Sequence, residues 1–458
     1  MKQETRYQNK KVLVVGLALS GFHAARLLEQ LGAFVTVNDA KELANNPDAQ
    51  DLIASGIRVI AGHHPIELLD ESFAYVIKNP GIPYSNPMVQ RAMELEIPIY
   101  TEVELAAQIM EASLIGVTGT NGKTTTTTMI HELLAANRTQ GIAYKAGNIG
   151  IPASVIAQEA TGEDDVVMEL SSFQLMGIET MRPHIAVITN ISEAHLDYHG
   201  TRDEYVAAKW RLTENQTAED YLIANADQPE IVERAQQTAA TFVPFSRTQE
   251  LLTGAYVKDG MLYFRGEAVM SVDEIGVPGA HNVENALAAI AVAKLKGVSN
   301  ETIQQVLSTF GGVKHRLQYV REVEGRKFYN DSKSTNILAA KTALASFPHQ
   351  PIVLLAGGLD RGNDFLPLVP SLTNVKAMVV FGETKVKLSE AAAEAGIQTI
   401  IQTDNVVTAV AESYAVSEPG DVILLSPACA SWDQYTNFEI RGDYYVEAVE
   451  ALQPSETK

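Results

Sequence analysis

The chain has 458 residues, 46 % of them hydrophobic and 20 % charged, which is the composition of a folded globular protein too long for a single core. Its 35 Lys and Arg stand against 56 Asp and Glu, a net charge of −21 that opposes sequence-independent binding to nucleic acid or insertion into an anionic membrane surface. The one cysteine, Cys429, excludes an internal disulfide and a cysteine-based zinc site. The polar start and strand-length apolar runs give no secretory or membrane-spanning segment, so a cytoplasmic location is expected.

Residues 11–16 read as a buried strand, 16–21 as a turn, 22–31 as a helix and 33–38 as a second strand ending at Asp39. This is a βαβ opening, but Ala18 stands where a dinucleotide fingerprint has its middle glycine. A Rossmann-like unit without a dinucleotide is therefore expected, and another nucleotide could still bind outside the strand ends. Residues 75–77 form a later strand running into Lys78-Asn79-Pro80-Gly81-Ile82-Pro83, a rigid turn able to present backbone groups to a ligand. A helix over 86–96 and a short strand over 97–100 precede a boundary near residue 104.

The apolar strand 114–117 leads into Gly119-Thr120-Asn121-Gly122-Lys123-Thr124-Thr125 and then a helix over 126–136. A strand, a glycine turn, Lys-Thr and a helix form a polyphosphate cradle. Backbone N–H groups and the positive helix end face the anion, Lys123 reaches the outer phosphates and Thr124 a magnesium ion. Val117 occupies the position of the usual first P-loop glycine, so the turn is shorter than the common form. After the glycine-rich turn 146–150, residues 165–172 form a strand with Glu169 near its end. Glu169 is either a metal carboxylate facing the phosphate loop or a capping acid. The strand 185–190 exits into a loop with Glu193, His195, Asp197 and His199. His195 there is either an ordinary loop histidine or a ligand contact at a third strand end. In the helix predicted over 201–217, Lys209 reads as a solvated side chain passing Trp210. Asn282 and Asn285, one turn apart at the start of an apolar helix reaching Leu295, could read a purine or cap the helix.

In the last third, residues 311–316 form a linker with a cationic end, where Arg316 suits a phosphate. Residues 328–336 run from a strand end into a helix over 337–346 and bring together Asp331, Ser332, Lys333, Ser334 and Thr335. Buried strands at 351–358, 376–382 and 421–426 follow, the last entering Pro427 to Asp433. The whole pattern is α/β: three doubly wound α/β domains, Rossmann-like at the N-terminus, P-loop ATPase-like in the centre and Rossmann-like at the C-terminus, over residues 1–104, 105–311 and 312–458.

These motifs together resemble the ATP-dependent Mur ligases of peptidoglycan synthesis over essentially the whole chain. The resemblance rests on G-T-N-G-K-T-T (119–125), G-N-I-G (147–150), E-L-S-S-F-Q-L (169–175), H-N-V-E-N-A (281–286), H-R (315–316) and D-S-K-S-T-N (331–336), in that order. The block S-P-A-C-A-S-W-D-Q-Y-T-N-F-E-I-R-G-D (426–443) and the N-P-G-I turn (79–82) are similar to the D-glutamate-adding branch. A folylpolyglutamate synthetase-like ligase would share the phosphate loop but not the N-terminal unit or the 426–443 block.

The resemblance implies addition of D-glutamate to UDP-N-acetylmuramoyl-L-alanine through an acyl phosphate, driven by ATP with two Mg²⁺ ions, in a protein expected to be a monomer. It implies that Gly119, Thr120, Asn121, Gly122, Lys123, Thr124, Thr125, Asn282, Asn285, Arg316 and Asp331 contact ATP. Lys123, His195 and Lys209 would be catalytic, and Thr124, Glu169, His195 and Lys209 would serve metals, Lys209 as a carbamate. Ser20, Asp39, Asn79 and Gly81 would face the uridine nucleotide, and Asn148, Ser171 and Gln174 its muramoyl-alanine arm. Lys333, Thr335, Ser431 and Phe438 would receive D-glutamate. Arg361 stands where some relatives have lysine, which keeps the charge but changes the hydrogen-bond geometry.

Overall fold

The structure, a computed structural model, describes residues 1–42, 46–192 and 196–453. The first sheet contains β1 (Lys11–Val15), β2 (Phe34–Asp39), β3 (Arg58–Ala61), β4 (Tyr75–Lys78) and β5 (Ile99–Tyr100). It is all-parallel in the order β3-β2-β1-β4-β5, so the chain reverses its direction of winding between β1 and β4. The glycine turn after β1 and the Asn79 turn after β4 therefore meet at the crevice where such sheets bind ligands.

The second sheet contains β6 (Ser113–Thr118), β7 (Ala143–Gly147), β8 (Asp165–Glu169), β9 (Ile185–Ile188), β10 (Tyr221–Asn225), β11 (Thr241–Ser246), β12 (Ala255–Lys258), β13 (Met261–Phe264) and β14 (Glu267–Ser271). Its order is β14-β13-β12-β11-β10-β9-β6-β8-β7, parallel up to β12 and closed by two antiparallel pairings. The third contains β15 (Gln318–Val323), β16 (Arg326–Asn330), β17 (Ile352–Gly357), β18 (Val375–Phe381), β19 (Thr399–Gln402) and β20 (Val422–Leu425). Its order is β15-β16-β20-β17-β18-β19, with only the β15–β16 pair antiparallel.

The central strands are buried on both faces, which explains their unbroken Val, Ile and Leu runs. Each fully buried side chain of this kind contributes about 1.5–3 kcal/mol. Two compact units result. One contains residues 1–273 and 284–307, and so the first two sheets; the other contains 274–283 and 308–458. Among the described residues no helix is long and apolar enough to cross a membrane.

Val117 is a paired strand residue, opposite Glu169 on β8, and the turn begins at Gly119, in line with the shortened loop expected from the sequence. One element differs from the periodicity. The helix predicted over 201–217 stops as Arg202–Trp210, followed by a tight 3₁₀ turn Arg211–Thr213. There the Arg211 guanidinium bonds the carbonyls of Met176 and Ile178, and the Thr213 hydroxyl donates to Trp210 O at 2.8 Å. These side chains hold the chain in place of a further helical turn.

Candidate active site

The helix Lys123–Asn137 carries five consecutive threonines directly after Lys123, poor helix formers because β-branched side chains lose rotamer freedom. Packing offsets this: Thr126, Thr127 and Thr128 are buried, and Thr128 Oγ1 donates to Thr124 O at 2.9 Å. Its N-cap is Gly122, in the left-handed region at φ +79°, and among the described residues no side chain caps it. Seven other helices carry a side-chain cap from Asn46, Asn86, Ser171, Thr201, Asn336, Asn405 or Asn437, whereas those starting at Leu19, Glu102, Ala153, Pro229 and Lys385 have none. Its first-turn N–H groups thus keep their donors for an anion.

The loop is held by neighbouring strand ends. Thr189 Oγ1 donates to Asn121 O at 2.6 Å, and Asn190 Oδ1 accepts from Asn121 N at 2.9 Å. Gly119, at φ +145°, leaves no room for a Cβ, which would collide with Thr189 Oγ1. A Cβ on Gly122 would likewise collide with Asn285 Oδ1. Asn285 also accepts from Thr126 Oγ1 at 3.1 Å, so its amide braces the phosphate helix. Asn282 donates to Pro278 O at 2.6 Å.

Lys123 folds back over the loop, its Nζ 3.0 Å from Gly119 O and 2.9 Å from Thr120 O. Lys209 is the main correction to the sequence reading. It is not a solvated side chain: only 2 % is exposed, its Nζ donates to Gly119 O at 2.7 Å and lies 4.7 Å from the Tyr205 ring centroid. Burial, together with the Lys123 charge and against the pull of Glu169, brings the amine down to about 6. Tyr205 and Lys209 share a helix face at i, i+4, and the Tyr205 hydroxyl bonds Thr120 Oγ1 at 2.9 Å. That spacing was the available signal for Tyr205; Thr189 and Asn190 had none beyond their place at a strand end.

Glu169 is buried at the end of β8. Its Oε1 accepts from Asn148 Nδ2 at 2.8 Å, and its Oε2 has no hydrogen-bond partner among the described residues. A buried carboxylate oxygen without a partner suits a divalent cation. Glu193 and His195, with the side chain of Asp197, lie outside the described residues. Among the described residues no group of three or more His, Cys, Asp or Glu side chains is placed to hold a metal. Ser171 and Gln174 form a capping box on the short helix Ser172–Leu175, and Gln174 O accepts from Thr101 Oγ1 at 2.7 Å.

At the first sheet, Asp39 accepts from Leu17 N at 2.7 Å and Lys41 N at 2.8 Å, fixing the turn that replaces a dinucleotide loop. Asn79 Nδ2 donates to Ser20 Oγ at 3.1 Å, and Asn79 Oδ1 accepts from Gly81 N at 3.1 Å. Ser20, Asn79 and Gly81 are thus brought together across the β1–β4 crevice, with Asp39 on the adjoining strand end.

In the second unit, Asp331 is buried and its carboxyl is pushed up to about 6 by desolvation, against hydrogen bonds from Ser334, Ser426 and Leu317 N and the charge of Arg316. Lys333 Nζ lies 4.3 Å over the Phe438 ring and the Arg361 guanidinium 4.7 Å over Trp432, both favourable cation–ring geometries. Ser431 is buried with no partner for its Oγ among the described residues, while Thr335 N bonds Lys333 O at 2.8 Å. The sequence reading assigned no role to Arg441. Fully buried, it donates to Ser332 Oγ and O at 3.0 and 2.9 Å, Cys429 O at 3.1 Å and Gly357 O at 3.2 Å. It ties together the chain exits of β16, β20 and β17, where the predicted amino-acid contacts lie.

Comparison with known proteins identifies the family of the chain. The MurD-like N-terminal domain of Mur ligases matches residues 10–101, the Mur ligase middle domain 117–293, and the Mur ligase glutamate ligase domain 315–429. The chain is 63 % identical over 456 residues to the UDP-N-acetylmuramoylalanine–D-glutamate ligase of Enterococcus faecalis, covering 100 % of both chains. It is 59 % identical to the protein of the same name from Lactiplantibacillus plantarum, over 99 % of this chain and 98 % of that one. Among solved structures, UDP-N-acetylmuramate–alanine ligase MurC from Thermotoga maritima superposes with a TM-score of 0.57 at 21 % identity, covering 97 % of this chain and 100 % of that one. A MurF ligase from Thermotoga maritima in complex with ADP superposes with a TM-score of 0.56 at 16 % identity, covering 98 % and 96 %. At these identities the two structures speak to the fold alone.

Proposed function

The chain belongs to the Mur ligase family, and from that premise we propose that it joins D-glutamate to UDP-N-acetylmuramoyl-L-alanine at the expense of ATP, in peptidoglycan precursor synthesis. The substrates rest on the full-length similarity to relatives bearing that activity in their names. The chemistry rests on one observation: the uncapped phosphate loop holds Lys123, with buried Lys209 bonded to the same loop and Glu169 at the end of the paired strand.

A free carboxylate is a poor electrophile. Its oxygen attacks the γ-phosphorus of ATP, ADP leaves and an acyl phosphate forms. The D-glutamate amine then adds to that carbonyl, the tetrahedral intermediate collapses, and inorganic phosphate departs as the amide forms. The protein's task is positioning and neutralisation of charge. Lys123 swings from the loop carbonyls to the transferring phosphoryl oxygens, and the bare N–H groups of the helix take the β-phosphate. Gly119, Thr120, Asn121, Gly122, Thr124 and Thr125 shape the cradle. Asn282, Asn285, Arg316 and Asp331 serve the rest of ATP.

Thr124 and Glu169 would hold one Mg²⁺, and His195 with carbamylated Lys209 a second; bound there, magnesium supplies Lewis-acid neutralisation of the phosphates. Glu169 suits this through its unpartnered oxygen. An amine at about 6 is neutral at physiological pH and nucleophilic toward CO₂, which would turn a neutral amine beside Lys123 into an anionic ligand. Ser20, Asp39, Asn79 and Gly81 hold the uridine nucleotide, and Asn148, Ser171 and Gln174 its muramoyl-alanine arm. Lys333, Thr335, Arg361, Ser431 and Phe438 receive D-glutamate. Three domains, 1–104, 105–311 and 312–458, divide these tasks in a cytoplasmic monomer.

The test is ADP release with UDP-N-acetylmuramoyl-L-alanine against a panel of amino acids. Release that depends on D-glutamate is expected; equal release with L-glutamate, or none, would sink the assignment.

A further inference from the structure

Lys78 ends β4 with none of its surface exposed. Among the described residues its ammonium meets oxygens and rings: Ile82 O at 2.7 Å, Tyr198 OH at 3.0 Å, and Asn79 O and Pro80 O at 3.3 Å. The Tyr84 and Tyr198 ring centroids lie at 5.0 and 5.7 Å. No salt bridge is formed by Lys78 among the described residues. Burying a cation without a carboxylate is costly, and an apolar side chain of the same length would fill the space at lower cost. The charge must therefore be judged by what it organises.

It organises one turn. Asn79 and Ile82 each precede a proline, so their carbonyls belong to tertiary amides with no N–H to anchor the peptide plane on the other side. The turn keeps one internal backbone–backbone bond, from Ile82 N to Asn79 O at 3.0 Å. Lys78 draws three of its carbonyls to one point, and the single proton of the Tyr198 hydroxyl is within reach of two of the same acceptors, Pro80 O at 3.1 Å and Ile82 O at 3.0 Å. Tyr198 belongs to the chain leaving β9 in the second sheet, and Tyr84 OH reaches the same sheet's connections at Met176 O, 3.2 Å away. The other side of the turn carries the Asn79 amide bonded to Ser20 and Gly81. A continuous hydrogen-bonded path thus runs from Tyr198 through Lys78 and the turn to Ser20. Desolvation brings the amine to about 7, in keeping with a group held for geometry in a dry site.

We propose that Lys78 is a positioning residue for the nucleotide substrate, a buried peg that pins the Asn79–Ile82 turn of the first sheet to Tyr198 of the second. The ligand end of the inference rests on the reading above, in which Ser20, Asn79 and Gly81 face the uridine nucleotide. Through the peg, the two ends of one long substrate keep a common register between the sheet that holds its nucleotide and the sheet that activates its carboxylate.

Lys78→Met, similar in length but unable to donate, should raise KM for UDP-N-acetylmuramoyl-L-alanine about tenfold or more, with KM for ATP and D-glutamate within about twofold. Tyr198→Phe removes a single oxygen and serves where the first variant folds poorly; it should raise the same KM about threefold. The double variant should be no worse than Lys78→Met alone, because both act on the same carbonyls. An unchanged nucleotide KM in both variants, an equal rise for all three substrates, or multiplying effects in the double variant would overturn the proposal. Calorimetric binding of UDP-N-acetylmuramoyl-L-alanine to the wild type and Lys78→Met separates this from the ligase assignment. Equal binding overturns the role of Lys78 even if D-glutamate-dependent turnover holds. Weaker binding by the variant supports it even if that turnover fails, and absence of binding to the wild type overturns both.

Discussion

Lys78 and Lys209 are both buried, both bonded to backbone carbonyls, and both shifted far below the ordinary lysine value of 10.5, to about 7 and about 6. They differ in charged company. Lys78 meets neutral carbonyls and tyrosine rings. Lys209 lies within electrostatic reach of a second ammonium, Lys123, and a buried carboxylate, Glu169. Equal burial therefore does not imply equal roles. Oxygens that converge on an ammonium make it a structural peg, whereas opposed charges around an amine prepare it for chemistry.

The largest test of that contrast is Lys209→Ala. Activity should fall by about three orders of magnitude, with partial rescue by added short carboxylates; Lys78→Met should show no such rescue, and its turnover at saturating nucleotide should survive. Glu169→Gln keeps the bond to Asn148 but removes the negative charge, and a loss of about a hundredfold in kcat with a raised magnesium requirement is expected. Gly119→Ala should weaken ATP binding about tenfold or more, measured by calorimetry, since the new Cβ would displace Thr189 and strain a φ of +145°.

Two pH dependences sharpen the comparison further. Protonation of the amine below about 6 should prevent the carbamylation proposed for Lys209, so activity and a carbamate signal from ¹³C-labelled bicarbonate should fall together on acidification. For Lys78 the unfolded chain keeps its proton up to about 10.5 and the folded chain only up to about 7. The unfolded state thus binds more protons in that window, and stability rises with pH by up to about 1.4 kcal/mol per unit from this group. Denaturant melts of Lys78→Met should show a flatter rise between pH 7 and 10 than the wild type. The smallest effect expected is for Thr128→Val. Loss of its bond to Thr124 O should change stability by about 1 kcal/mol or less, since a net intrahelical hydrogen bond is weak.

The fold was largely legible because parallel strands buried on both faces read as uninterrupted apolar runs, and glycine turns followed them. The site was legible where chemistry depends on local order, as in Gly119 to Thr125. For Lys209 the local pattern pointed to a solvated side chain, and only the family resemblance marked it as a site residue. A lysine beside two alanines and a tryptophan on a short helix has the same pattern whether it faces water or a phosphate loop ninety residues earlier in the chain. Arg441 was missed for the same reason, since its acceptors at Ser332, Gly357 and Cys429 come from three separate strand ends.

By itself, then, the order of residues determined the alternation of strands and helices, the phosphate cradle and the family, because each is written in contiguous spacing. Tertiary structure alone decided which polar groups lose water and whom they meet when they do. Lys209, Glu169 and Arg441 acquire their character from desolvation and from partners far away in sequence, and Lys78 from desolvation and from Tyr198 beside the carbonyls of its own turn.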